Sequence, residues 1–125
     1  MATRATVLKI GIASAAFLKA RTIAIARGKQ KRRPGEPRVW FTSLNSVAQV
    51  LSEPNRALLE LIRSSKPATM TDLAELSGRK ESNLSRTLRT MENYGFVRLT
   101  KTGRTVRPVV DWDKVEIEVD LADAA

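Results

Sequence analysis

Residues 72–84, DLAELSGRKESNL, constrain the fold more tightly than any other stretch of the chain. Leu73 and Leu76 are spaced to face a core, and Ala74 is small enough to let a second helix come close. Gly78, four residues after Ala74, permits a sharp turn, and Leu84, ten residues after it, anchors the next helix on the same core. A small residue, a glycine and an apolar anchor at these offsets are what two helices crossing at a steep angle require.

The flanking pattern extends this pair in both directions. Ser52 caps a helix that carries Pro54 in its first turn, presents Leu58, Leu61 and Ile62 inward, and stops before Pro67. Thr69 and Asp72 are placed as cap and first-turn acid of the short helix that ends at Gly78. A longer helix runs from about Lys80 to Tyr94 and closes at Gly95. Phe96–Thr100 and Thr105–Val110 then read as two strands around a tip at Lys101–Arg104. Upstream, Thr6–Ile12 alternates as a strand, and Ser14 caps a helix to about Arg27. That helix is apolar on two faces, Phe17/Ala20/Ala24 and Leu18/Ile25, and is expected to be covered on both, the second time by another subunit. Val39–Thr42 reads as a short strand, followed by a turn or two of helix capped by Ser43. Val115, Ile117, Val119 and Leu121 alternate with charged residues as a strand with one buried face.

The expected fold class is mainly α with a small β part (α+β). It is a winged helix-turn-helix over residues 39–110, with a basic N-terminal strand-helix extension and linker over 1–38 and an acidic C-terminal strand and tail over 111–125. With 42% hydrophobic residues the chain has enough apolar side chains for a packed core.

Charge is distributed in blocks. Residues 1–40 carry a net +9, 41–78 a net −1, 79–110 a net +6 and 111–125 a net −5. Two basic blocks separated by a near-neutral one suggest polyanion-binding surfaces joined by scaffold. The segment 28–38, GKQKRRPGEPR, holds five of the basic residues and reads as a solvated, mobile loop rather than a DNA-contacting arm. There is no cysteine and no histidine, which excludes disulfides, Cys/His zinc sites and His-based catalysis. Nothing among the Asp, Glu, Ser and Lys residues converges on an active site, so no enzyme activity, cofactor or metal is expected. Lys9, Lys19 and Arg21 interrupt the apolar run Val7–Ala26, so no membrane span is expected. The sole A-x-A-like site, Ala13–Ala15, lies inside that run rather than after it, which argues against a cleaved signal. A cytoplasmic location follows as the expectation.

The helix over 80–94 divides cleanly at about 100° per residue. Leu84, Leu88 and Met91 point inward, and Ser82, Arg86, Arg89 and Asn93 lie diametrically opposite, with Asn83 and Ser85 on the flanks and Arg79 and Lys80 at the entry. A polar face with long donors and no carboxylate aimed outward suits a helix in the major groove of double-stranded DNA. A merely solvated surface helix would instead mix Glu and Lys at i,i+4 spacing. Arg86 and Arg89 suit guanine edges and Asn83 adenine, whereas Ser82, Ser85 and the first-turn amides suit phosphates. Lys101, Thr102 and Arg104 at the hairpin tip, with Arg107 on the returning strand, are expected to meet the flanking backbone or minor groove.

Residues 69–110, TMTDLAELSGRKESNLSRTLRTMENYGFVRLTKTGRTVRPVV, resemble the winged helix-turn-helix of MarR/ArsR-type bacterial and archaeal regulators. More loosely, 39–110 resembles small prokaryotic helix-turn-helix regulators often described as antitoxin components. The resemblance implies sequence-specific DNA binding, usually as a homodimer, with possible autorepression; no Cys/His cluster carries over metal sensing. The N-terminal strand-helix and the 115–121 strand are expected to form the dimer layer and to pair with each other, one being basic and the other acidic. Two further readings stand beside a dimeric repressor: an antitoxin that also neutralises a toxin protein through residues 1–38, and a non-specific nucleic-acid coat driven by the net charge.

Overall fold

The computed structural model describes residues 6–31 and 35–121. Arg4, the Arg32–Arg33–Pro34 stretch of the basic linker and the end of the acidic tail lie outside the described residues. The chain forms two compact units, one of residues 1–48 with 113–125 and the other of 49–112.

The first unit is built on a three-stranded parallel sheet in the order β2–β1–β5, with β1 at Val7–Ile12, β2 at Val39–Phe41 and β5 at Lys114–Val119. The central strand reads as a near-continuous apolar run, as a parallel strand with both faces covered does. Leu8, Ile10 and Phe41 are buried in it, together with Val47 of α2 (Leu44–Val50). The start of β5 is clamped reciprocally to the residue before β1: the Thr6 amide donates to Asp113 Oδ2 at 3.0 Å, and the Asp113 amide to the Thr6 carbonyl at 2.8 Å. The expected pairing of the basic N-terminal strand with the acidic C-terminal one is thus made within one chain, in a register that sets Lys9 beside Glu116.

Between β1 and β2 runs α1 (Ala15–Ala26), its first turn closed by Ser14 Oγ accepting the Phe17 amide at 3.1 Å. Gly11 explains where this helix packs. A side chain at residue 11 would strike the Trp40 ring, so glycine lets that ring pack directly against the strand. Phe17 meets Trp40 at 6.1 Å between centroids, and the Arg21 guanidinium stands 5.2 Å from its centroid. Arg21 is in turn paired with Glu36 at 2.6 Å.

Three expectations are corrected here. The domain boundary falls at Gln49 rather than at 39, because Val39–Phe41 pairs in register with Ile10–Ile12 and therefore belongs to the sheet. The segments 1–38 and 111–125, read as separate, form one unit through β1 and β5. The linker is pinned rather than loose at its second half: Pro37 is buried, Glu36 holds Arg21, and Lys9 Nζ donates to the Gly35 carbonyl at 2.8 Å.

The apolar face of β5, expected to be buried, is open. Ile117 is 45%, Val119 47% and Leu121 85% exposed, because β5 is an edge strand with a neighbour on one side only. No residue of α1 is fully buried. Phe17, Leu18, Arg21, Ala24 and Ile25 form one half-covered arc, so the two apolar faces merge into a single inward one, and Ala20 falls on the exposed side.

The second unit is a three-helix cluster with a hairpin. It comprises α3 (Glu53–Ser65), α4 (Met70–Ser77), α5 (Glu81–Asn93), β3 (Arg98–Thr102) and β4 (Thr105–Val109). Local sequence explains each boundary. Ser52 Oγ accepts the Asn55 amide at the start of α3, and Thr69 Oγ1 accepts the Asp72 amide at 3.0 Å at the start of α4. Gly78 ends α4 with φ +72°, a left-handed conformation costly for any residue with a Cβ, and its amide donates to the Ala74 carbonyl. Leu58, Ile62, Met70, Leu73, Leu84, Leu88, Met91, Phe96 and Val97 are all buried. Leu76, expected to share the core with Leu73, is 53% exposed, since α4 buries a single narrow stripe and Leu76 lies off it.

The whole is an α+β winged helix-turn-helix with an N-terminal strand-helix and a C-terminal strand. Among the described residues no helix is long and apolar enough to cross a membrane.

Candidate nucleic-acid interface

Helix α5 presents the site. Its inward stripe, Leu84, Leu88 and Met91, is completely buried, which fixes the rotation of the helix and turns residues half a turn away to solvent. Ser82, Asn83, Ser85, Arg86, Arg89 and Asn93 are all exposed. Five of them, Ser82, Ser85, Arg86, Arg89 and Asn93, line one shallow depression of about 340 Å³ together with Thr90. Asn83 stands outside it, about 100° around the helix from the Arg86/Arg89 line. Thr90 was missed by sequence reasoning; its position one turn beyond Arg86 was the available signal, and its hydroxyl donates to the Arg86 carbonyl at 3.2 Å.

The two carboxylates of α5 are both engaged away from this face. Thr71 Oγ1 donates to Glu81 Oε2 at 3.4 Å, linking α4 to α5, and the Leu99 amide donates to Glu92 Oε2 at 3.1 Å, linking the helix to the hairpin. Arg86 and Arg89 make no side-chain ion pair or hydrogen bond among the described residues. The outward face is therefore a row of cations and neutral hydrogen-bonding groups with the acids removed to its flanks.

The entry residues divide. Lys80 is exposed at the N-cap and makes no side-chain cap bond. Arg79, expected to contact DNA, is half-buried and turned into the protein: its Nη2 donates to the Pro54 carbonyl at 2.8 Å, and its amide to Ser77 Oγ. It braces the turn between α4 and α5 against the start of α3.

The hairpin is tighter than the sequence suggested. Thr102 pairs with Thr105, so the tip is Gly103–Arg104 alone, and Lys101 and Thr102 are strand residues. The negative φ of Arg104 after the positive φ of Gly103 is the two-residue turn that matches strand twist. Lys101 pairs with Val106 and shares the face of Leu99 and Pro108, whereas Arg107 pairs with Thr100 on the face of Arg98 and Thr102. The wing cations Lys101, Arg104 and Arg107 are all exposed but do not converge on one side. Arg98 and Asp111 close the base of the hairpin in a two-pronged pair, Nε to Oδ2 and Nη2 to Oδ1, each at 3.1 Å. The Arg98 guanidinium holds the Asp111 carboxyl below the usual carboxylate range, and Asp111 raises Arg98 in return. Trp112 Nε1 donates to the Gly95 carbonyl at 2.8 Å, tying the exit of the hairpin to the end of α5.

Fold and face together define a winged helix-turn-helix protein whose helix α5 presents an open face with its two carboxylates held to the flanks. A model of the HVO_A0114 family matches residues 50–117, more than half of the chain, and the chain belongs to that family. No curated protein matches the chain. Among solved structures, a crystal structure of the predicted DNA-binding transcriptional regulator from E. coli is similar at 16% identity and a TM-score of 0.46, over 80% of this chain and 86% of that one.

Proposed function

We propose that this protein is a sequence-specific double-stranded-DNA-binding transcriptional regulator, a repressor that acts as a homodimer. The reading is carried by the outward face of α5, where, among the described residues, the Arg86 and Arg89 guanidinium groups make no ion pair or hydrogen bond and stand beside Ser82, Ser85, Thr90 and Asn93 while Glu81 and Glu92 are held to the side. Laid in a major groove, this face offers two guanidinium forks to guanine edges and hydroxyls to phosphates. The wing, with Arg104 at its tip, lies along the flanking backbone. Two such helices related by a two-fold axis read half-sites about one helical turn apart.

Replacing Arg86 and Arg89 together with Ala tests the reading by retardation of the protein's own promoter fragment. Retardation is expected to disappear with the melting temperature unchanged; undiminished retardation overturns the assignment. The same assay on random duplex separates regulation from coating, because a coat binds both sequences alike and a regulator does not.

A further inference from the structure

The exposed side of α1 is apolar apart from Lys19 and Thr22, whose hydroxyl donates to the Leu18 carbonyl: Ala15, Ala16, Ala20, Ile23 and Ala26 complete it, with Ile23 41% exposed. Charge is segregated toward the two ends of this helix. Beside its first turn lies a notch of about 90 Å³ lined by Ile12, Ala13, Phe17, Trp40, Glu118 and Asp120. At its other end stand Arg27, Lys29 and Lys31, all exposed. Glu118 lies on the α1 side of the sheet, because it shares the notch with Phe17 and Trp40, and strand alternation puts Glu116 on that side too.

The sheet shows why the notch is there. Three strands about 4.8 Å apart are wider than a single helix of about 10 Å can roof. Because α1 packs through Phe17 and Arg21 on the Trp40 ring, which itself lies against Gly11 of β1, the β5 carboxylates are left at the open side of the roof. Extension of the sheet by β5 of a second copy is disfavoured. Antiparallel pairing about Ile117 sets Glu116 against Glu118, and about Glu116 or Glu118 sets that glutamate against itself, so like charges face each other directly.

We propose that the exposed face of α1 docks a second copy of this chain, antiparallel across a two-fold axis, with Arg27 and Lys29 of each copy entering the Glu118 notch of the other. The surface is self-complementary only under such an axis. An antiparallel pair brings the cationic end of one helix level with the acidic end of its partner, and the two-fold repeats the contact. With the axis beside Lys19 and Ala20, Ile23 meets the partner's Ala16, and Arg27 comes level with the partner's Ile12, beside the notch. Ala16 and Ala20 let the two helices approach closely on either side of the axis, and the two Lys19 side chains beside it lay their stems along the contact and carry their charges out to solvent. This rests on the dimer in the function proposed above and names its interface.

Sedimentation of the full chain without DNA tests it, so that the result does not depend on operator recognition. The wild type is expected to dimerise with an affinity that falls as salt rises. Ile23→Asp is expected to give a monomer with an unchanged circular-dichroism spectrum. Glu118→Lys, and separately Arg27→Glu with Lys29→Glu, are expected to weaken the dimer about tenfold or more. Combining the three substitutions is expected to restore most of the affinity, which a folding defect would not do. A monomeric wild type, a dimer indifferent to Ile23→Asp, or a combined variant no tighter than the single-sided ones overturns the proposal. The Arg86→Ala/Arg89→Ala protein is expected to dimerise as the wild type does, so failure of DNA recognition and failure of this interface are separate results.

Discussion

The Glu92 carboxylate accepts the Leu99 amide at 3.1 Å, so an acid of α5 is engaged in holding the hairpin. One bond thereby does two things: it satisfies the Leu99 amide and holds the carboxylate toward the hairpin, to the side of the Arg86/Arg89 line. Glu92→Ala is expected to cost about 1 kcal/mol of stability, the net worth of an ordinary hydrogen bond. Amide exchange at Leu99 should accelerate, and Glu92→Gln, which keeps a side-chain acceptor, should recover part of the protection. Unchanged exchange at Leu99 in the Ala variant would show that the bond is not what holds this end of the wing.

Arg79 and the exposed cations Lys80 and Arg104 are expected to differ in kind. A side chain that neutralises a phosphate reduces the slope of log affinity against log salt by about 0.9 when it is removed. Arg79 is bonded to the Pro54 carbonyl, so Arg79→Ala should lower stability and leave that slope unchanged. Removing Lys80 or Arg104, which are exposed and cationic, should reduce it. Binding titrations over a range of salt concentrations distinguish the two classes directly.

The turn between α4 and α5 favours glycine for a physical reason. Gly78 sits at φ +72° with nothing within 4 Å of where a Cβ would go, so a larger residue there meets no clash and suffers only backbone strain. Gly78→Val is expected to destabilise by about 1–2 kcal/mol, and Gly78→Asn by less, since Asn visits the left-handed region more readily. Thermal or denaturant unfolding measures both, and equal losses for Val and Asn would contradict the backbone explanation.

Burial predicts a sharp contrast between two leucines eight residues apart. Leu84 is fully buried, and Leu84→Ala is expected to cost about 2–5 kcal/mol. Leu76 is 53% exposed, and Leu76→Ala should stay within about 0.5 kcal/mol. Equal losses would place Leu76 in the core after all.

The Arg98–Asp111 pair gives a pH signature. Asp111 titrates below an ordinary carboxylate when folded, so the unfolded chain binds its proton more readily at acidic pH. The contribution of the pair is complete above the ordinary carboxylate range and is lost as pH falls through the depressed value. Asp111→Asn should remove this part of the acid sensitivity while leaving neutral-pH stability little changed, because both partners are substantially exposed. Carboxyl chemical shifts followed through a pH titration provide the check, with a normal Asp111 midpoint as the contrary result.

The short-range features of the chain were determined by sequence alone. The caps Ser14, Ser52 and Thr69, the break at Gly78 and the period of Leu84, Leu88 and Met91 are local rules about backbone donors and helical repeat, and each is realised in the structure. The outward line Ser82, Arg86, Arg89, Asn93 followed from that same period, because burying one side of a helix dictates the other. Tertiary structure decided what depends on residues far apart in the chain. Val39–Phe41 belongs to a sheet with β1 because hydrogen-bonding register overrides proximity in sequence, and no pattern within that segment encodes its partner. Arg79 has the same composition and charge as a DNA contact, and only the position of the Pro54 carbonyl turns it inward. Leu76 and Ile117 look as apolar as their buried neighbours, yet whether a side chain is covered depends on which element lies above it. Periodicity fixes which residues share a face, and packing alone fixes what that face meets.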